Sequence, residues 1–403
     1  MTIQLLPYHH DLSRLLKAQD PEVWSWFAKN LEQPESVEAM KFELLKTTYR
    51  VDRETESSLY QAATEIAALL QINAPLTIYQ AHQAFGLNAS LVQIPGEVHI
   101  VLHGPIQEQL EPTELRALFG HEMTHYVLAE QQDQDLRIMD RMLSALAADR
   151  SAHPAYTHSL RLLRLYNEVL CDRGAFDVTR DVNAVVSLLL KLETGVKQIN
   201  PAAFLKQAEE IFQRGEIVSQ SLDHPELFIR AHAVRLWTDL GAESNPIVAN
   251  ILTGHPGLAD LDLWEQHRVA QQTRELLDLL FSRPWFRTDA TLAHAKLFFA
   301  DYVPNTTTSY PQPLASAPMN LRITPDSMAD YFSYLLLDFM VADRELEEAA
   351  FAWGLTLAEQ IGVKERFVDV LRKELKLRKS QLDKIERNKQ QIMSDAEHQG
   401  RAE

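Results

Sequence analysis

The sequence predicts a mostly α-helical protein with one small β-sheet in its N-terminal half, an α+β class followed by an all-α C-terminal part. Three observations lead there. Apolar residues recur with the helical period over residues 57–70, 161–178 and 182–192. Two short runs rich in strand formers, 76–79 and 98–102, are the strand candidates, the second entered through the turn pair Pro95-Gly96. No stretch reads as a long β-meander, and no repeat of fixed period runs along the chain.

Taken in order, residues 1 to about 75 read as helical, and the two strands follow. Pro112 then stands in the first turn of a helix, where its missing N–H costs little, and that helix is expected to run to Glu130. Its apolar stripe is Leu115, Leu118, Phe119 and Tyr126. The polar stretch Gln131, Gln132, Asp133, Gln134 and Asp135 reads as an exposed loop, with a mobile lid as the alternative. From residue 133 to about 237 the pattern is helical again, and 241–302 is helical but broken by Pro246, Pro256 and Pro284. Residues 303–325 hold five prolines around Thr306, Thr307, Thr308 and Ser309, a linker composition. A last helical block starts at Ser327. With 403 residues the chain is too long for one ordinary domain. The expected organisation is a domain over 1–240, a helical connector over 241–302, a linker over 303–325 and a helical domain over 326–403.

Composition narrows the function classes. Hydrophobic residues at 46% provide for a real core, while a net charge of -17 repels phosphate backbones and argues against a nucleic-acid partner. The basic residues between 364 and 389 alternate with Glu365, Asp369, Glu374, Asp383 and Glu386, so they read as a solvated helix. One cysteine, Cys171, cannot form an internal disulfide and fits a reducing compartment; three residues after Glu168 it could approach a metal there, but a buried structural thiol is the expected role. The first residues lack the pattern of a secretory signal, and no run approaches the roughly 18 apolar residues of a membrane span. The expectation is a soluble, cytoplasmic protein without a transmembrane segment.

The chemistry concentrates at His121-Glu122-Met123-Thr124-His125. On a helix, positions four apart lie one turn above each other, so both imidazoles can reach one ion. Two ordinary histidines would give the same spacing, and a third ligand decides between the readings. Zinc accepts imidazole nitrogen and in catalytic sites keeps a position for water; the intervening Glu122 is placed to take a proton from that water. Glu168 and Asp172, again four apart, sit in an otherwise apolar helical segment where an acidic pair needs a partner. Glu168 is the expected third ligand, and Asp172 the acceptor that fixes the tautomer of a ligating histidine.

At these residues the sequence resembles the zinc metallopeptidases that include HtpX and the CaaX prenyl proteases, whose pattern is His-Glu-x-x-His followed by Glu-x-x-x-Asp-x-x-Ala. Here the pattern is carried by His121, Glu122 and His125, then Glu168, Asp172 and Ala175. The Asn-Ala pair and strand that precede the metal helix in that family correspond to Asn88-Ala89 and residues 98–102, and a His-Pro with an arginine six residues after the histidine corresponds to His224, Pro225 and Arg230. The resemblance covers roughly residues 40–240, without the family's membrane helices, and is closest to soluble members. It implies a zincin-like fold of the gluzincin type and a zinc endopeptidase acting on peptides or unfolded proteins. One zinc would be held by His121, His125 and Glu168, with Glu122 as general base. By the same resemblance His224 would stabilise the developing oxyanion, Arg230 would support it or fix its loop, and Asn88 would bind substrate backbone. The strand at 98–102 is expected to offer its edge to an extended substrate.

A second resemblance lies in the C-terminal block. Residues 334–343 with Glu345 and Glu347 look like a tellurite-resistance TerB-like helical domain, in which an acidic turn follows an apolar helix and residues 357–363 supply the next helix and its glycine stop. The cluster Asp338, Asp343, Glu345 and Glu347 is either a cation site or an acid-rich helix start. The competing function is a catalytically silent, zinc-stabilised adaptor or regulator that acts through residues 326–403; a third reading joins the two, a peptidase whose C-terminal domain senses a signal and gates the cleft, with residues 326–403 open to a protein partner or regulator.

Overall fold

The computed structural model describes residues 3–31, 34–82, 86–149, 151–305 and 325–399. The chain forms two compact units, one of residues 1–254 with 262–264, the other of 255–261 with 265–403.

In the first unit, α1 (Pro7–Gln19), α2 (Pro21–Lys29) and α3 (Pro34–Thr47) precede a short strand, β1 (Thr48–Arg50), and α4 (Ser57–Leu69). β2 (Leu76–Ala81), β3 (Asn88–Ile94) and β4 (Glu97–His103) complete a four-stranded sheet of order β1-β2-β4-β3. β2 and β4 run parallel, and the two outer pairs are antiparallel. Successive side chains of a strand point to opposite faces. Ile78, Val98, Ile100 and Leu102 therefore enter the main core, while Tyr79, Ile94 and Val101 meet Leu44 of α3 on the other face. β4 is buried from Val98 to Leu102, which is why it reads as a continuous apolar run. This placement corrects one expectation. β4 pairs on both sides and has no free edge; the edge strand on that side is β3, which the sequence reading did not assign, and Asn88 is its first residue.

After the sheet come α5 (Ile106–Gln109), α6 (Pro112–Glu130), α7 (Asp135–Ala147), α8 (Pro154–Thr179), α9 (Val182–Thr194), α10 (Pro201–Phe212), α11 (Leu227–Leu240) and α12 (Asn245–Thr253). α6 begins and ends where expected, with Pro112 in its first turn and Glu114 accepting from the Glu111 N–H at 2.8 Å. Glu114 also accepts from Ser187 at 2.5 Å and from Lys191 at 2.7 Å, which ties the start of α6 to α9 inside the core.

α6 and α8 lie against each other at glycines. A Cβ on Gly174 would stand 1.9 Å from Thr124 Oγ1, and one on Gly120 would stand 2.5 Å from Val178 Cγ2. Only a residue without a Cβ permits this approach. Between α6 and α7, Gln132, Asp133 and Gln134 all take positive φ, and the turn ends on Asp135, which is buried and accepts from Ser13 at 2.7 Å and Lys17 at 2.6 Å. The polar stretch is thus a turn tied down at Asp135.

The second unit contains most of α13 (Leu263–Leu280), then α14 (Asp289–Phe298), α15 (Pro325–Val341), α16 (Glu347–Gln360), α17 (Lys364–Glu374) and α18 (Lys379–Gln399). One apolar core joins Leu276, Phe281, Phe286 and Tyr302 to Phe332, Phe339, Trp353 and Phe367. The stretch 265–302 therefore shares its core with the helices after the linker, and the first unit extends to Gly254. Residues 306–324 of the expected linker lie outside the described residues. An apolar helix, an acidic turn and a second helix follow in the expected order, with Gly362 at φ +77° after α16. No helix among the described residues is long and apolar enough to cross a membrane.

Candidate metal centre

His121 and His125 project from one face of α6 toward α8, with ring centroids 5.0 Å apart. On α8, positions 168, 171, 172 and 175 share the face turned to α6. Glu168 meets both imidazoles. Its Oε1 is 3.4 Å from His125 Nε2, and its Oε2 is 3.6 Å from His121 Nε2. His224, from the loop before α11, brings its Nε2 to 3.5 Å from the same Oε1. Arg230 of α11 places Nη2 3.3 Å from Oε2.

A second layer fixes these groups. Asp172, 1% exposed, receives a fork from Arg230, Nε donating to Oδ2 at 2.8 Å and Nη2 to Oδ1 at 2.7 Å. His121 Nδ1 lies 3.0 Å from Asp172 Oδ1. Burial alone would raise the Asp172 pKa, but Arg230 and His121 outweigh it and hold the carboxyl ionised. An ionised carboxylate only accepts, so His121 donates from Nδ1 and presents the lone pair of Nε2 toward Glu168. Glu168 behaves alike. Burial opposes its charge, yet His125, Arg230 and His121 drive its pKa well below the carboxylate range.

These donors fit a zinc ion. Ligand atoms about 2.1 Å from one tetrahedral ion stand roughly 3.4 Å apart. The contacts of 3.4 and 3.6 Å between Glu168 and the two imidazoles have that spacing and are too long for hydrogen bonds. Glu168 Oε2, in a residue only 6% exposed, has no hydrogen-bond partner. The His125 pKa is raised although burial opposes this, because Cys171 and Glu168 favour the proton; a bound ion would take that proton's place. Glu122 is buried on α6 beside His121.

Cys171 enters the same space. Its Sγ and one nitrogen from each of His121 and His125 lie within 4.8 Å of one another. Thus two three-donor sets share the histidines, one completed by a carboxylate and one by a thiol. The carboxylate set fits better on geometry, because the Glu168 oxygens stand 3.4 and 3.6 Å from the two imidazoles and Oε2 has no hydrogen-bond partner. One signal for this proximity was local, the three-residue step from Glu168 to Cys171, which turns both residues toward one helix face.

The structure thus brings together His121, His125, Glu168, Asp172, His224 and Arg230. Arg230 grips Asp172 rather than His224. Asn88 stands exposed at the start of β3, and its Oδ1 accepts from the next residue's N–H at 2.9 Å. In the second unit the carboxylates of Asp338, Asp343 and Glu345 form no comparable cluster among the described residues; Asp343 accepts from the Glu345 N–H, and the Glu347 side chain lies outside the described residues.

Comparison with known proteins agrees with this chemistry. The plastoglobule-localized metallopeptidase 48 of Arabidopsis thaliana, a chloroplastic protein, is 29% identical to the chain over 235 residues, 53% of this chain and 66% of that protein. The match thus spans just under two thirds of the relative's length. No protein-family model matches the chain, and no solved structure matches it. The chain is similar to a metallopeptidase.

Proposed function

We propose that the protein is a zinc-dependent endopeptidase of the gluzincin type, with one zinc held by His121, His125 and Glu168. The observation that carries this is the buried Glu168 carboxylate set between two imidazoles one helical turn apart, with Asp172 fixing one of them. When bound there, the ion polarises a peptide carbonyl and acidifies a water.

The chain's own residues supply the rest. Glu122 accepts the proton of the attacking water and passes it to the leaving amine. Asp172 keeps the proton of His121 on Nδ1, and Arg230 neutralises the buried charge of Asp172 and Glu168, so that the carboxylates stay ionised and oriented. His224, exposed at the mouth of the site, donates to the oxygen that gains charge. An extended peptide has a free sheet edge at β3, and Asn88 at its start offers a side-chain amide to substrate backbone. The substrate class is peptide or unfolded protein, because a bond must be presented in extended form. The single cysteine fits a reducing compartment, and a cytoplasmic location is part of the same reading.

The test uses fluorescein-labelled casein and short quenched peptides. Wild type loaded with zinc is expected to cleave, and Glu122→Gln to lose roughly a thousandfold in kcat while keeping its metal. A Glu122→Gln variant as fast as wild type would remove the general base from the reading.

A further inference from the structure

The loop that carries His224 is held far more firmly than an exposed connection needs to be. Its start is fixed where the Ser219 N–H donates to the Ile251 carbonyl at 2.8 Å. Its two ends are stitched together where the Gln220 N–H donates to Glu226 Oε1 at 2.7 Å. Arg161 of α8 then donates from Nε to the Ser221 carbonyl at 2.7 Å and from Nη2 to the Ser219 carbonyl at 2.6 Å. Arg164 donates from Nη1 to Asp223 at 2.5 Å, and is itself braced by Ser144 at 3.2 Å. Arg161, Arg164 and Glu168 follow one another at helical spacing, so one face of α8 bears both the clamp and the central carboxylate.

Two large side chains remain outside this network. His224 is 64% exposed at its side chain and Leu222 is 67% exposed. An exposed leucine alone is ordinary. This one stands on a clamped loop, two residues from an imidazole that reaches 3.5 Å from Glu168. Fixing backbone costs conformational entropy, and a recognition loop ordered beforehand avoids that cost when substrate binds.

We propose that residues 219–226 form a preorganised substrate-recognition loop, in which Leu222 contacts an apolar side chain next to the bond cleaved and Arg161 is the positioning residue. This rests on the peptidase reading and names its preferred substrates, extended segments with a large apolar residue beside the scissile bond. Loss of Leu222 removes that contact. Loss of Arg161 frees two carbonyls and loosens the loop, so that His224 and Leu222 are displaced together.

The experiment uses zinc-loaded full-length protein and a set of quenched peptides that differ only beside the cleaved bond, with Leu, Phe, Ser or Asp. Wild type is expected to prefer Leu over Ser by at least about tenfold in kcat/KM, and Leu222→Ser to reduce that to about threefold or less through a raised KM for the Leu peptide. Arg161→Ala should lower kcat on every peptide with bound zinc unchanged, Arg161→Lys should recover part of it, and Leu222→Ser should change selectivity no further in the Arg161→Ala background. A Leu preference that survives Leu222→Ser in full overturns the proposal and leaves the peptidase reading intact. A wild type that binds zinc but cleaves neither casein nor any peptide defeats both.

Discussion

The two units differ in what they bury. The core of the first holds Glu114, His121, Glu122, Asp135, Arg137, Glu168, Asp172, Arg173 and Lys191 alongside its apolar residues. Among the described residues of the second unit the buried polar ones are Glu265, Gln272 and three hydroxyl side chains, and ion pairs such as Lys364 with Glu359 and Glu386 are partly exposed. Burying a charge is expensive unless it is paired and hydrogen-bonded. Four of these, His121, Glu122, Glu168 and Asp172, stand on the facing helices α6 and α8. The core of the second unit is aromatic and aliphatic, with Glu265 as its buried carboxylate among the described residues.

The comparison can be broken by removing equivalent charges from each side. Asp172→Ala removes the fork from Arg230, leaving it buried with only its 3.3 Å contact to Glu168, and frees the tautomer of His121. It is expected to destabilise the first unit by about 3–5 kcal/mol and to weaken zinc binding by about 10–100-fold. Glu386→Ala in the second unit should cost about 1 kcal/mol or less, since solvent already screens its partners. Urea unfolding and zinc titration of both variants decide this; similar costs in the two units would remove the distinction.

A buried histidine sharpens the same contrast through pH. His9 accepts the Leu6 N–H at Nδ1 and faces Asn167 Oδ1 from Nε2, so its neutral form is fully bonded. Burial lowers its pKa from 6.5 to about 4. The unfolded chain therefore binds the proton first, and stability contributed by neutral His9 is present above pH 6.5 and lost as pH falls toward 4. The loss amounts to about 3 kcal/mol. In His9→Gln the part of the pH dependence that belongs to this window should disappear from hydrogen exchange in α1 and α8. An unchanged slope would show that His9 titrates normally.

The smallest effect separates two glycines. In Gly174→Ala the new methyl meets Thr124, a β-branched residue whose Oγ1 is committed to the Gly120 carbonyl, so α6 and α8 must separate. The expected cost is about 1–3 kcal/mol with weakened zinc binding, and Thr124→Gly should recover part of both. In Gly354→Ala the new methyl meets Met340 at Sδ 2.6 Å and Cγ 2.9 Å, an unbranched side chain that adapts more readily than Thr124, and the cost should be smaller than for Gly174→Ala with zinc binding unchanged.

Local pattern made much of this legible. α6 announced itself through Pro112 and its apolar stripe, and the four-residue steps His121–His125 and Glu168–Asp172 put each pair on a single helix face. What escaped was non-local. β1 has three residues and β3 is partly exposed, so neither shows the alternation of a half-buried strand, and without β3 the free edge was assigned to β4. Prolines between residues 241 and 302 suggested a connector, but Phe281, Phe286 and Tyr302 pack with residues beyond 325, a partnership no local window reveals. Arg161 and Arg164 carried no local signal of their role, because Ser219, Ser221 and Asp223 lie about 60 residues further along the chain.

The most direct test of the centre is metal content. The protein would be purified without added metal and its zinc measured by mass spectrometry beside His121→Ala, Glu168→Ala and Cys171→Ser. A centre of His121, His125 and Glu168 predicts about one zinc per chain in wild type and in Cys171→Ser, and none in the other two. Zinc kept by Glu168→Ala and lost from Cys171→Ser would put the thiol in the carboxylate's place, and no zinc taken up by wild type even on addition would contradict the centre altogether.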